Sequence, residues 1–182
     1  MKERIYSFAA SGLVVVVWMV FFSPYAPAIK SETKLADIVI ETNSEENSKP
    51  ILVFPIKGKS ILDVISKYGE SRGNGNRIHE GIDIPAPKGT PVLAVQDGTI
   101  EKIVNRGKGG KQIWLKSGDR TFFYAHLDDW QVTAGQKVKQ GDIIANVGNT
   151  GNASKTRPHL HLGIYLGSRK TVNPDRFNWI NP

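Results

Sequence analysis

Cysteine is absent from the 182-residue chain. That excludes a disulfide framework, thiolate metal ligands and an acylated-cysteine anchor, so any metal must be held by imidazole and carboxylate. Histidine is scarce, with 4 in the whole sequence: His79, His126, His159 and His161. Runs of like charge are missing too. The net charge is +7, yet the lysines and arginines are scattered. The basic excess falls in residues 51–182, while residues 29–50 are acidic. Such a balance fits an acidic partner (nucleic acid, an anionic membrane face or a carboxylate-rich polymer), and it fits plain solubility equally well. A phosphate cradle is also lacking. Arg72-Gly73-Asn74-Gly75-Asn76-Arg77 has Ile78 where a dinucleotide fingerprint needs its third glycine, so it reads as a turn-rich loop. Nucleic acid is not among the expected partners.

What is present divides the chain into three. Met1 to Arg4 is a short positive head, followed by an apolar run from Ile5 to Phe22 and by Ser23-Pro24 and Ala26-Pro27-Ala28. A secretory signal has this layout, and about 18 apolar residues also suffice for one helix across a bilayer. Residues 1–28 are therefore expected to be a signal peptide or a signal-anchor helix with its positive end in the cytoplasm. Residues 29–182 are then exported to the cell envelope. Residues 29–50 have the composition of a polar linker, interrupted by Leu35 to Ile40. A domain begins at Ile51.

From Asp83 onward the pattern is short strands and tight turns, in keeping with 18 glycines and 10 prolines. Asp97-Gly98 signals a hairpin after Pro91 to Val95. Ser117-Gly118-Asp119 signals a second, between Gln112 to Lys116 and Arg120 to His126. Strand signals at such regular spacing predict an all-β fold, with antiparallel sheets in a sandwich or barrel-like core. Two glycine-turn segments, Lys88 to Gly98 and Gly135 to Asp142, resemble half of a biotinyl carrier domain, but no lysine-attachment motif accompanies them.

The chemistry concentrates on the histidines. His159 and His161 sit two apart in a strand-like run, so both point to one face with Cα atoms roughly 6.5–7 Å apart. In His79-Glu80-Gly81-Ile82-Asp83, the alternating isoleucines indicate a half-buried strand. A straight strand would part His79 from Asp83 by about 13 Å, too far to share one ion. A bend near Gly81 is therefore expected, with His79 on the incoming loop. In Phe122-Phe123-Tyr124-Ala125-His126, strand alternation puts positions 122, 124 and 126 on one aromatic-lined face. Asp128 and Asp129 follow, either to orient an imidazole or as plain surface turn residues. Two histidines with one carboxylate form an established hydrolytic zinc set, leaving two imidazoles for proton handling and oxyanion stabilisation. Strand geometry leaves open which of His159 and His161 is the ligand.

Four segments together are similar to the lysostaphin-type zinc endopeptidases of bacterial cell walls: His79 to Val92, Tyr124-Ala125-His126-Leu127, Val147-Gly148-Asn149-Thr150-Gly151 and Pro158-His159-Leu160-His161-Leu162. The resemblance runs through roughly residues 51–175. It implies antiparallel sheets around a narrow groove, one Zn²⁺ bound by His79, Asp83 and His161, and His126 and His159 as catalytic histidines. It implies a peptidoglycan partner, with hydrolysis of stem peptides or cross-bridges. Some relatives have lost zinc ligands and act as activators of other wall hydrolases, which makes a silent membrane-tethered adaptor the alternative reading.

Overall fold

The computed structural model describes residues 50–167 and 170–182. The N-terminal apolar segment and nearly all of the polar linker lie outside the described residues. Among the described residues, no helix is long and apolar enough to cross a membrane.

The described residues form thirteen strands, in order: β1 (Ile51–Val53), β2 (Ser71–Arg72), β3 (Arg77–Ile78), β4 (Ile82–Pro85), β5 (Pro91–Leu93), β6 (Gly98–Asn105), β7 (Lys111–Ser117), β8 (Arg120–Trp130), β9 (Lys137–Val138), β10 (Ile143–Val147), β11 (His159–Leu166), β12 (Lys170–Val172) and β13 (Asn178–Ile180). The only helical pieces among the described residues are 3₁₀ turns at Ile61–Asp63, Gly151–Ala153 and Pro174–Arg176. The fold is thus all-β, as the turn-rich sequence predicts. The main sheet runs β12-β11-β8-β7-β6-β9, with β4 beside β11 and β10 between β5 and β8. All its pairings are antiparallel. One departure from the antiparallel expectation is the parallel pair β1–β13. There Phe54 packs edge-on to Trp179, ring centroids 5.5 Å apart.

Alternation explains the core. On β11, Leu160, Leu162 and Ile164 are fully buried, while the odd positions between them face the other way. Each such aliphatic burial contributes roughly 1.5–3 kcal/mol before chain entropy is charged. From β8, Phe122, Tyr124 and Leu127 join the same core. The Tyr124 hydroxyl is satisfied there by the Val95 N–H at 3.0 Å.

Two turn expectations divide. β7 and β8 form the hairpin at Ser117-Gly118-Asp119, with Ser117 opposite Arg120. Asp97-Gly98 does not close a hairpin: β5 pairs with β10, and β6 pairs with β7 and β9. The residues serve other ends. The Asp97 carboxylate accepts from the Gln140 N–H and the Lys139 ammonium, both at 2.8 Å. A Cβ at Gly98 would collide with the Lys116 carbonyl oxygen, so glycine is needed for close strand approach and not for a turn.

Candidate metal centre

Strand register builds the centre. β4 lies antiparallel to β11 with Asp83 directly opposite His161, while Ile82 and Ile84 hold β4 to the core. The chain bends at Gly81, as expected, and His79 lies in the coil between β3 and β4. Backbone bonds fix that coil: His79 N–H donates to Glu70 O at 2.8 Å, and Gly69 N–H donates to His79 O at 2.8 Å. The bend folds His79 back over Asp83. His79 Nε2 lies 3.1 Å from Asp83 Oδ1 and 3.0 Å from His161 Nδ1. His161 Nδ1 lies 2.9 Å from Asp83 Oδ1.

Gly81 is required for space as well as for the bend. Its φ is not positive, but a Cβ there would collide with the Leu162 carbonyl oxygen and sit 2.8 Å from His161 Cε1. We expect Gly81→Ala to lower stability by about 1–3 kcal/mol and to displace the His161 ring. Chemical denaturation read beside histidine NMR shifts checks both effects; an unchanged midpoint would remove the close-approach argument.

The other two imidazoles adjoin this triangle. His159 precedes His161 on the same face of β11, and its ring centroid is 4.9 Å from that of His126. His126 is 6.0 Å from His161 by the same measure. His126 does not share a face with Phe122 and Tyr124, contrary to simple alternation. Its φ is +62°, and the β7–β8 register slips between Lys111 and Ile113. This bulge lets Phe123, Ala125 and His126 all line the cleft, while Phe122 and Tyr124 remain in the core. A non-glycine residue with positive φ is strained backbone of the kind that bulges use to re-aim a functional side chain. The cleft has a volume of about 510 Å³ and contains all four imidazoles and Asp83.

Hydrogen bonds assign the tautomers. A carbonyl only accepts, so a ring nitrogen facing one must carry the proton. His79 Nδ1 faces Lys67 O, His126 Nδ1 faces Thr150 O and His159 Nδ1 faces Arg157 O, each at 2.9 Å. In all three rings Nε2 is therefore the electron-pair donor. Burial pushes the His126 imidazole down to about 4, against the Thr150 hydrogen bond that favours its charged form. Burial also lowers His161, with Asp83 opposing. Burial disfavours ionisation of Asp83, but its contacts with His161 and then His79 hold it well below the usual carboxylate range.

A second layer, which sequence reasoning missed, steadies Asp83. Arg72 Nη2 donates to Asp83 Oδ2 at 2.8 Å and also to Ser66 Oγ. Ser66 Oγ donates to Glu70 Oε2 at 2.6 Å. Arg72 occupies the outer carboxylate oxygen and leaves Oδ1 facing the histidines. The turn-rich Arg72–Arg77 loop is in fact the β2–β3 hairpin, with Arg72 opposite Arg77. Asp128 and Asp129 orient no imidazole: Asp128 pairs with Lys88 at 3.0 Å and Asp129 with Asn146 at 2.9 Å.

The donor set fits a small divalent cation. Oδ1 of Asp83, Nε2 of His79 and Nδ1 of His161 converge within one group. With the His79 Nδ1 proton spent on Lys67 O, its Nε2 lone pair faces Asp83 Oδ1 at 3.1 Å, an arrangement of two electron-pair donors that a cation between them would reconcile. A tetrahedral ion with bonds of about 2.0–2.1 Å needs donors about 3.3 Å apart, a few tenths of an ångström from what is found. Buried donors of mixed nitrogen and oxygen type suit zinc.

The chain is similar to known proteins over this region. The chain is 43% identical over 100 residues to an uncharacterized metalloprotease of Haemophilus influenzae, covering 54% of this chain and 20% of that protein. It is 35% identical over 127 residues to the L-Ala–D-Glu endopeptidase of Bacillus subtilis, covering 65% and 39%. It is 40% identical over 126 residues to the murein hydrolase activator NlpD of Escherichia coli, covering 68% and 30%. The chain thus spans well under half the length of these curated relatives. Among solved structures, the catalytic domain of lysostaphin from Staphylococcus simulans matches with a TM-score of 0.55 at 35% identity, over 62% of this chain and 88% of that one. The model of peptidase family M23 matches residues 77–174, more than half of the chain and all five residues of the cleft constellation, and the chain belongs to this lysostaphin-type family.

Proposed function

We propose that the protein is a zinc endopeptidase that hydrolyses peptide bonds in peptidoglycan stem peptides or cross-bridges. The observation that carries this reading is the constellation itself. Three converging donors, His79, Asp83 and His161, stand beside two imidazoles, His126 and His159, whose Nε2 atoms have no partner among the described residues. An envelope location follows from the substrate, and the N-terminal apolar segment supplies the export signal or anchor.

Zinc at such a site acidifies water and polarises a carbonyl. The chain's own groups handle the rest. His126 is neutral near pH 7 and accepts a proton at Nε2, the resulting imidazolium being steadied through Nδ1–H by Thr150 O. His159, held in the same tautomer by Arg157 O, lies beside it with ring centroids 4.9 Å apart. One ring takes the proton from the attacking water at its Nε2, and the imidazolium so formed donates to the developing oxyanion and returns that proton to the leaving amine; the other ring can donate from Nε2 only in its protonated form.

Arg72 positions Asp83 in this scheme. Loss of such an outer partner costs about 10–100-fold in metal affinity, and we expect that range for Arg72→Ala. Titration with a competing zinc chelator measures it, and affinity unchanged within twofold would reduce Arg72 to a surface ion pair.

The direct test incubates the full chain with purified peptidoglycan, with and without chelator, and reads the products by mass spectrometry. Fragments with new amino and carboxyl termini, abolished by chelator and restored by zinc, are expected. Similarity to the activator NlpD favours a second reading, in which the groove binds and switches on another wall hydrolase. A zinc-loaded chain that cuts nothing alone, yet accelerates an added amidase, would establish that reading instead.

A further inference from the structure

The cleft has two walls of unlike origin. The β2–β3 hairpin and its flanks supply Ile65, Arg77 and Ile78. The β6–β7 turn and the segment after the second 3₁₀ turn supply Lys108 and Arg157 on the opposite side. That second wall is pinned. Asn152 N–H donates to Lys108 O at 2.9 Å, and His126 N–H donates to Gly109 O at 2.8 Å. Gly110 and Gly151 approach so closely that a Cβ on either would strike the other's backbone. The turn that bears Lys108 therefore moves with His126. Arg157 stands two residues before His159 and holds that ring through its own carbonyl.

Charge in the cleft is lopsided. Asp83 is engaged by Arg72 and the imidazoles. Among the described residues, Arg77, Lys108 and Arg157 have no carboxylate within ion-pair distance. All three are exposed. Glu80 is the remaining acid in the lining. Like charges on both walls of a concave site focus the field on its axis and raise the local concentration of the opposite charge. Beside them, Ile65 and Ile78 present apolar surface, 44% and 53% exposed. Guanidinium groups match carboxylates with paired hydrogen bonds, and the isoleucines match short aliphatic side chains.

We propose that Arg77, Lys108 and Arg157 form a carboxylate-reading rim, so that the groove selects an acidic peptide with free carboxylates and small aliphatic residues over an uncharged glycine bridge. This rests on the peptidase reading and narrows its substrate from either wall peptide to the stem class. An uncharged oligoglycine offers the three cations only neutral carbonyls and no carboxylate, and would leave both isoleucines exposed.

Three probes test it: a stem-type peptide with free carboxylates, the same peptide with its carboxylates amidated, and a capped oligoglycine. Binding to the full chain is measured by calorimetry with chelator present, so that no turnover intervenes. Cleavage is measured separately with zinc. The acidic peptide should bind at least tenfold tighter than its amidated form, and the gap should shrink as salt rises. In the triple variant Arg77→Gln, Lys108→Gln, Arg157→Gln the gap should close while oligoglycine binding stays as it was; circular dichroism confirms the fold. Equal binding of acidic and amidated peptides, or a gap that survives the triple variant, overturns the proposal. Cleavage without charge discrimination would leave the peptidase reading standing and this one refuted. Discrimination without cleavage would do the reverse.

Discussion

His161→Ala is expected to lose zinc and activity together. The substitution removes one of three donors spaced 2.9–3.1 Å apart and leaves two, too few for a tight hydrolytic site. Loss of a mere outer partner lowers metal affinity about 10–100-fold, and loss of a direct donor should exceed that. The fold should survive. Leu160 and Leu162 on either side carry the packing of β11, and the backbone pairing of β11 with β4 and β8 does not need the ring. Metal content after dialysis, turnover of peptidoglycan and a melting curve on the same preparation separate the effects. A folded, zinc-loaded and active variant would show that His161 is no ligand, and a folded, zinc-loaded but inactive one would move it to the proton-handling pair.

That His159 and His161 share a face, and that His79 and Asp83 can reach one site, was legible from spacing, whereas the place of His126 beside them came only from the family resemblance. The HxH pair needed only strand alternation, and the bend at Gly81 followed from a distance that a straight strand could not satisfy. Strand geometry alone could not rank His159 against His161. The difference arises from pairing across the sheet, since β4 places Asp83 opposite His161 and Pro85 opposite His159. Register of that kind depends on partners far apart in sequence.

His126 shows why alternation misleads near a site. Counting by twos assumed a regular strand, and one bulge moved the ring from the core face to the cleft face. Nothing in Phe122-Phe123-Tyr124-Ala125-His126 marks the bulge, because the strained residue is a histidine and not a glycine. The same limit applies to Asp97-Gly98 and Gly81. Both glycines answer to backbone from another strand, Lys116 and Leu162 respectively, and a local reading sees only turns. Arg72 was invisible for a third reason: its carboxylate partner is 11 residues on, across a hairpin that read as a loop.

His159→Ala should keep its zinc and lose most of its activity, by about 10²–10⁴-fold, the usual worth of a positioned acid or base. The ring lies outside the donor triangle. Its Nδ1–H is spent on Arg157 O, and Nε2 remains for the substrate. The nearest imidazole is His126, with a centroid separation of 4.9 Å, so the two rings form one proton-handling unit. Groups that act as a unit are not additive in their losses. The double variant His126→Ala, His159→Ala should therefore fall little below either single one. Turnover numbers and Michaelis constants on one soluble peptide, with zinc content measured alongside, make the comparison. The loss should appear in kcat, because neither ring is needed to hold the metal or dock the peptide. A loss confined to KM would reassign His159 to substrate binding. Activity within twofold of the parent, with zinc intact, would leave the pair without a role and return the groove to the activator reading.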